Sequence, residues 1–236
     1  MMRSHIFTDR AAAGVALARE LQRRLLRPPL IVLALPRGGV AVGYEVARIL
    51  HAPLDVLVVR KIGMPGQREL AIGAIASGGV LVHEPAIEKE FPDLAGRFDR
   101  LVEEERRELE RRERVYRPGG TPLELRGKSV ILVDDGLATG STMLAAIRAA
   151  RIAGAAAIIA AAPIASPEAA RIVGREADTT VLLQTPATLF AIGQWYGDFE
   201  QLEDTEVCRL LDLSRRDAEC SAAERRPREH QSDSGA

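Results

Sequence analysis

The chain has 236 residues, enough for one domain with an appendage, and a chain of that size buries roughly three quarters of its unfolded surface without disulfides or metals. Its 47% hydrophobic and 28% charged content is that of a globular protein, and a net charge of −1 excludes a global electrostatic attraction to nucleic acid or membrane. Cys208 and Cys220 have neither metal-ligand nor CxxC spacing, which fits a reducing cytoplasm, and no apolar stretch is long enough to span a bilayer.

Thr8 or Asp9 caps an N-terminal helix whose apolar positions Val15, Leu17, Leu21 and Leu25 lie largely on one side, with Pro28-Pro29 stopping it. Arg10 followed by Ala11 to Ala18 imitates a short signal peptide, but Ala and Gly make a weak apolar region that Arg19-Glu20 interrupt, so the segment reads as a packing helix. Leu30 to Leu35 is the first buried strand; it ends in Pro36-Arg37-Gly38-Gly39 before a helix from Val40 to Leu50. The paired glycines permit close backbone approach to an oxygen-rich ligand and Arg37 supplies a forked cation suited to phosphate; a plain Gly-rich turn is the competing reading.

Asp55 to Val59 reads as the next strand, delivering Arg60-Lys61 at its C-terminal end, the edge at which open parallel sheets bind ligands. Solvated surface charge is the alternative for these two cations. Ile62 to Glu69, with Gly63, Pro65 and Gly66, reads as a mobile loop, and Leu70 to Ser77 with Val80 to His83 as a hairpin around Gly78-Gly79. His83 stands alone and reads as structural. Residues 84–127 form a charged helical insertion, on which Phe98, Leu101, Val102, Leu109, Val115 and Tyr116 share one broad side. Glu103 with Arg107, Glu108 with Arg112 and Glu110 with Arg114 are spaced to pair along it. The insertion covers part of the core, caps a site or joins two subunits; alternating acids and bases speak against a nucleic-acid stripe.

Val130 to Thr142 carries the chemistry. Four apolar β-formers predict a strand buried on both faces, and Met143 to Arg151 a helix, so Asp134 to Thr142 is a strand-to-helix crossing. Unpaired N–H groups and the positive dipole end at such a crossing bind phosphate; Gly136 and Gly140 allow close approach, and Thr139, Ser141 and Thr142 add hydroxyl donors. Asp134 and Asp135 accept only, so they hold a vicinal diol or a metal bound to one. Paired carboxylates beside a phosphate cradle suggest a ribose 5-phosphate. Ordinary helix capping would leave those carboxylates without a partner, and a Walker-type loop is excluded because no Lys stands where it requires one.

Beyond it, Ala155 to Ala162 reads as a strand, Ser166-Pro167 starts a helix to about Arg175, and Thr179 to Leu183 is a further strand. With the ligand-like residues at strand ends, this alternation predicts an α/β fold with a doubly wound sheet. Phe190 to Phe199 gathers Trp195 and Tyr196 near Asp198, for which core or edge packing is a competing reading. Glu206 to Leu213 reads as a last helix, and Ser214 to Ala236 as a disordered tail after a domain of residues 1–213.

Asp134-Asp135 and Thr139-Gly140-Ser141-Thr142 behind their apolar run resemble the phosphoribosyl diphosphate (PRPP) signature of the type I phosphoribosyltransferases. That resemblance extends from about Leu30 to Asp198. It implies a mostly parallel five-stranded sheet with a hairpin flap, Asp134 and Asp135 on the ribose hydroxyls, and Gly136, Ala138, Thr139, Gly140, Ser141 and Thr142 around the 5-phosphate. Arg37, Gly38 and Gly39 match the pyrophosphate loop, most like an Arg-Gly-Gly version in some purine enzymes, with a cis peptide expected at Arg37-Gly38. Arg60 and Lys61 face the leaving pyrophosphate. Trp195, Tyr196 and Asp198 match a segment that contacts the base. The implied activity is Mg2+-dependent transfer of ribose 5-phosphate from PRPP to a nitrogenous base or amine. Mg2+ is then held mainly by PRPP, with Asp134 and Asp135 available to it, and a homodimer follows family precedent. A non-catalytic PRPP-binding regulator of the same fold is the alternative. Purine enzymes commonly place a Lys after the strand matching Ala155 to Ala162; Pro163-Ile164-Ala165-Ser166 has none, so the acceptor stays open.

Overall fold

The computed structural model describes residues 7–24, 26–64, 67–83, 95–119 and 122–224. Five strands, β1 (Leu30–Ala34), β2 (Leu54–Val56), β6 (Ser129–Val133), β7 (Ala157–Ile164) and β8 (Thr179–Gln184), form one sheet in the order β2-β1-β6-β7-β8, with every pairing parallel. The expected α/β fold with a doubly wound sheet is the one observed.

Alternate residues of β6 show why these apolar runs become central strands. Val130 and Leu132 pack into one core with Met143, Ile147 and Val173, while Ile131 and Val133 pack into another with Leu17, Leu21, Val42 and Val46. Burial on both faces removes the need for polar alternation. The helices on the first face are α4 (Ser141–Ile152) and α5 (Pro167–Glu176); those on the second are α1 (Arg10–Gln22) and α2 (Gly38–Leu50). Local caps agree with the sequence. Asp9 accepts from the Ala12 amide at 2.7 Å, and Ser166 accepts from that of Ala169 at 3.0 Å.

The flap differs from its expected form. The parallel strand β2 stops at Val56, because Val58 and Ser77 bond each other: the Ser77 amide donates to the Val58 carbonyl at 2.9 Å and the Val58 amide to Ser77 Oγ at 3.0 Å. Arg60 and Lys61 therefore do not end a strand of the main sheet. They lie within β3 (Val59–Met64), which pairs antiparallel with β4 (Gln67–Ala76), itself paired with β5 (Val80–His83). Much of the expected mobile loop from Ile62 to Glu69 is thus strand, in which Ile62 opposes Gly73 and Met64 opposes Gln67; residues 65 and 66 lie outside the described residues. The hairpin at Gly78-Gly79 is present, on a 3-10 turn with both glycines at positive φ. Ala74, Ala76 and Val82 of the flap pack on Ala145 and Ala149 of α4, so the flap is seated on the helix that follows the signature turn.

Within the insertion, α3 (Ala95–Tyr116) buries Phe98, Val102, Leu109 and Tyr116 against Ile62, Ile72 and Ile75 of the flap and Val207, Leu210 and Leu211 of the last helix. Of the roles open to it, core covering is the one visible. Its Glu103–Arg107 and Glu108–Arg112 pairs form at 3.3 and 2.9 Å.

The last helix, α6 (Asp204–Glu224), runs eleven residues beyond the expected end at Leu213, so 214–224 is not a disordered tail. Tertiary contacts extend it: Ser214 is buried, Tyr44 donates to Asp217 at 3.0 Å, and Arg215 reaches the Tyr116 carbonyl at 3.5 Å. Residues 225–236 lie outside the described residues. Among the described residues no helix is long and apolar enough to cross a membrane.

Candidate functional site

The site grows from two neighbouring strands. Ala34 of β1 pairs in register with Val133 of β6, and the Leu35 amide donates to the Val133 carbonyl at 2.8 Å, so both chains leave the sheet at the same edge. The β1 turn contains a cis bond between Pro36 and Arg37. This corrects the expected position by one residue: Gly38 already opens α2, and its lack of a side chain serves space instead. A Cβ at Gly38 would overlap the Asp135 carboxylate, and one at Gly39 would come within 2.6 Å of the Val133 carbonyl and 3.3 Å of Asp134 Oδ1. The two glycines let the start of α2 lie directly against the paired carboxylates.

Beyond those carboxylates the turn is held from the β7 side. The Leu137 amide donates to the Ile164 carbonyl at 2.9 Å, the Ser166 amide to the Leu137 carbonyl at 2.9 Å, and Ser166 Oγ to the Ala138 carbonyl at 2.7 Å. Gly136 lies where a Cβ would meet Ile192 and Ile164 at 2.5 and 2.8 Å. Gly140 has φ 75° and offers no side-chain cap to α4; the Ser141 amide donates to Thr139 Oγ1 at 3.4 Å, and the amides after it in the first turn point toward an anion's position. Ala138 and Thr139 are exposed, while Ser141 and Thr142 are half-buried. Thr139 Oγ1 lies 3.0 Å from Ser141 Oγ, which also receives Lys61 Nζ from the flap at 3.2 Å.

The two carboxylates are unlike. The Asp134 carboxyl is enclosed by protein although the residue keeps some accessible surface. That desolvation first, and repulsion from Asp135 second, push it well above the usual carboxylate range; the Asp135 amide, donating to Asp134 Oδ1 at 2.9 Å, opposes the shift. Asp135 Oδ2 instead receives Arg10 Nε at 2.8 Å. Sequence reasoning missed Arg10, although a signal existed. A cation in the first turn of a helix, with no acid there, opposes the macrodipole and calls for a tertiary partner.

The other cations also have partners. Arg60 meets Glu105 of α3 at 2.8 Å, and Arg37 meets Glu203 at 3.7 Å. On the aromatic side, Tyr196 donates to the Asp135 main-chain carbonyl at 2.6 Å. Its ring lies between Phe7 and Phe199, at centroid distances of 5.7 and 4.9 Å, so it is a packed support and not an open platform for a base. Burial, with Asp135 beside it, raises its phenol pKa. Trp195 is half-buried in the same cluster, and Asp198 is exposed and accepts from the Glu200 amide at 3.1 Å.

Among the described residues no three His, Cys, Asp or Glu side chains converge as a metal cage. Magnesium commonly takes one or two carboxylates and completes its shell with ligand phosphates and water, and the Asp134-Asp135 pair fits that mode.

Comparison with known sequences decides the family. The model of the phosphoribosyl transferase domain matches residues 7–179. The chain belongs to the phosphoribosyl transferase family. Two Mycobacterium tuberculosis proteins, of strains CDC 1551 and H37Rv, carry a provisional phosphoribosyl transferase name. Each is 43% identical to this chain over 212 residues, which cover 90% of it and 48% of the relative. The chain thus spans about half the length of the curated relatives it matches. In structure, this phosphoribosyl transferase domain is similar to TT1426 from Thermus thermophilus, with a TM-score of 0.80 and 39% identity, covering 87% of this chain and 97% of that one.

Proposed function

We propose that the chain transfers ribose 5-phosphate from PRPP to a nitrogen nucleophile and releases pyrophosphate. The observation that carries this reading is the direct apposition of Gly38-Gly39 to Asp134-Asp135, beside a glycine-led helix start ringed by hydroxyls. It supports a ligand with an anion at each end and a diol between them. In the reaction the bond from the anomeric carbon to the pyrophosphate oxygen breaks, with its electron pair leaving on pyrophosphate. The nitrogen lone pair forms the new C–N bond, and the nitrogen's proton passes to solvent.

Positive charge grows on the sugar as negative charge grows on the leaving group, so oriented charges accelerate the step. Asp134 and Asp135 take the ribose hydroxyls and favour the cationic sugar. Gly136 to Thr142 hold the remote 5-phosphate, whose binding energy positions the sugar. Arg37, Arg60 and Lys61 face the pyrophosphate, with Arg60 exchanging Glu105 for it. Asp134 and Asp135 are the residues that would help to hold Mg2+, which would supply further positive charge against the leaving group. Trp195 and Asp198 remain the acceptor-side candidates, with Tyr196 behind them as support. A homodimer rests on family precedent, and light scattering checks it.

The deciding assay is pyrophosphate release from PRPP and Mg2+ with a panel of bases and amines. Acceptor-dependent release supports the transferase; binding with no turnover across the panel moves the reading to a regulator, and release without acceptor to hydrolysis.

A further inference from the structure

Arg10 belongs to no part of the signature, yet it makes three close contacts beside it. It begins α1, its side chain is only 11% exposed, and it touches both sides of the site. Nε donates to Asp135 Oδ2 at 2.8 Å, one terminal nitrogen donates to the Glu200 carbonyl at 2.8 Å, and the guanidinium lies 3.8 Å over the Phe199 ring. The same aromatic segment reaches Asp135 a second time, through the Tyr196 hydroxyl on its main-chain carbonyl. Asp135 is therefore clamped at side chain and main chain by groups outside its own turn.

We infer that Arg10 is a positioning residue for the sugar: it orients the Asp135 carboxylate toward the ribose diol and ties that carboxylate to the Trp195–Glu200 segment. This rests on the reading of Asp134 and Asp135 as diol ligands. The geometry has a definite consequence. Arg10 occupies one carboxylate oxygen of Asp135, Oδ2, and the Asp134 carboxyl lies beside the same carboxylate within the turn. A carboxylate held by one oxygen presents the other in a single direction, whereas an unheld one rotates and loses the alignment that a hydroxyl pair requires. Lysine cannot replace the clamp, because a single ammonium cannot form the planar fork or stack on Phe199 while reaching both acceptors.

The test compares ribose 5-phosphate with 2-deoxyribose 5-phosphate, by calorimetric titration of the full chain in Mg2+. A site that grips the diol discriminates against the analogue lacking one hydroxyl. The wild-type protein is expected to prefer ribose 5-phosphate by about 10-fold or more, and Arg10→Gln to reduce that preference to about 2-fold or less. Affinity for the deoxy sugar, carried by the phosphate, should stay within about 2-fold of wild type. A merely structural role would weaken both ligands together, and that result, or a preference that persists in Arg10→Gln, overturns the inference alone. No preference in the wild type overturns the diol reading and this inference with it. Should Arg10→Gln not fold, Arg10→Lys carries the test: a preference reduced or lost supports the clamp, and a full wild-type preference overturns it.

Discussion

The signature turn after β6 and the cationic strand β3 meet across Lys61 and Ser141, yet they are held by different kinds of interaction. The turn is fixed by main-chain bonds from β7, by glycines that admit close packing, and by a largely buried Arg10–Asp135 pair. The cationic side rests on ion pairs that water reaches: Arg60 and Glu105 are 31% and 28% exposed, and Glu203 opposite Arg37 is 73% exposed. Such pairs contribute little to folding, typically below about 1 kcal/mol. A site with one rigid wall and one exchangeable wall suits a donor whose sugar must be aligned while its diphosphate arrives and departs.

Substitutions in the rigid wall should therefore cost far more activity than those in the exchangeable one. The largest effect is expected for Asp134→Asn combined with Asp135→Asn: about 100-fold or more lost in turnover with the fold retained, read by kcat and a melting curve. Wild-type turnover in that variant would remove the carboxylates from the mechanism. Gly38→Ala should follow at about 10- to 100-fold in kcat/KM, because the added methyl displaces the Asp135 carboxylate. If Gly38→Ala keeps full activity, the apposition of the two turns is not needed for catalysis.

On the exchangeable wall, Arg60→Gln should raise the KM for PRPP by about 10-fold, and Glu105→Gln should lower it a few-fold by freeing Arg60. Steady-state kinetics at two salt concentrations separates them, and a rise in KM for Glu105→Gln would mean that the glutamate supports the arginine and does not compete for it.

Stability against pH sharpens the same contrast. Because the folded state raises the Asp134 pKa, native protein binds more protons than unfolded chain between the unfolded carboxylate value, about 3.9, and the higher folded one. Its contribution is present below that window and is lost as pH rises through it. Asp134→Asn should therefore melt higher than wild type at pH 8, with the gain vanishing near pH 4; an equal gain at both would assign the effect to packing.

Glu108 on α3 has the opposite sign. Bonds from Arg111 and then Arg112, set against desolvation, lower its pKa to about 2, so its contribution is present above the unfolded value and is lost as pH falls toward 2. At neutral pH Glu108→Gln should cost only a few tenths of a kcal/mol, the smallest effect here, measurable by urea denaturation.

Where sequence reading succeeded, local chemistry sufficed. The signature turn, the Gly38-Gly39 turn, the order of buried strands and the caps at Asp9 and Ser166 follow from runs of apolar residues, small residues and side-chain acceptors within a few positions of one another. Where it failed, distant partners decided. The β2 strand stopped early because Val58 and Ser77, nineteen residues apart, bond each other. The last helix continued past Leu213 because Tyr44 and Tyr116 receive it.

The sequence by itself therefore determined the α/β sheet and the glycine-bearing strand-to-helix turns, since apolar periodicity and glycine placement act over short range. Only the tertiary structure decided that Arg10, more than a hundred positions before Asp135, is its partner, that Tyr196 is a support, and that Arg60 answers to Glu105. The physical reason is one of range: a backbone turn is specified by its own few residues, whereas an ion pair across the fold is specified by where two separate elements come to rest.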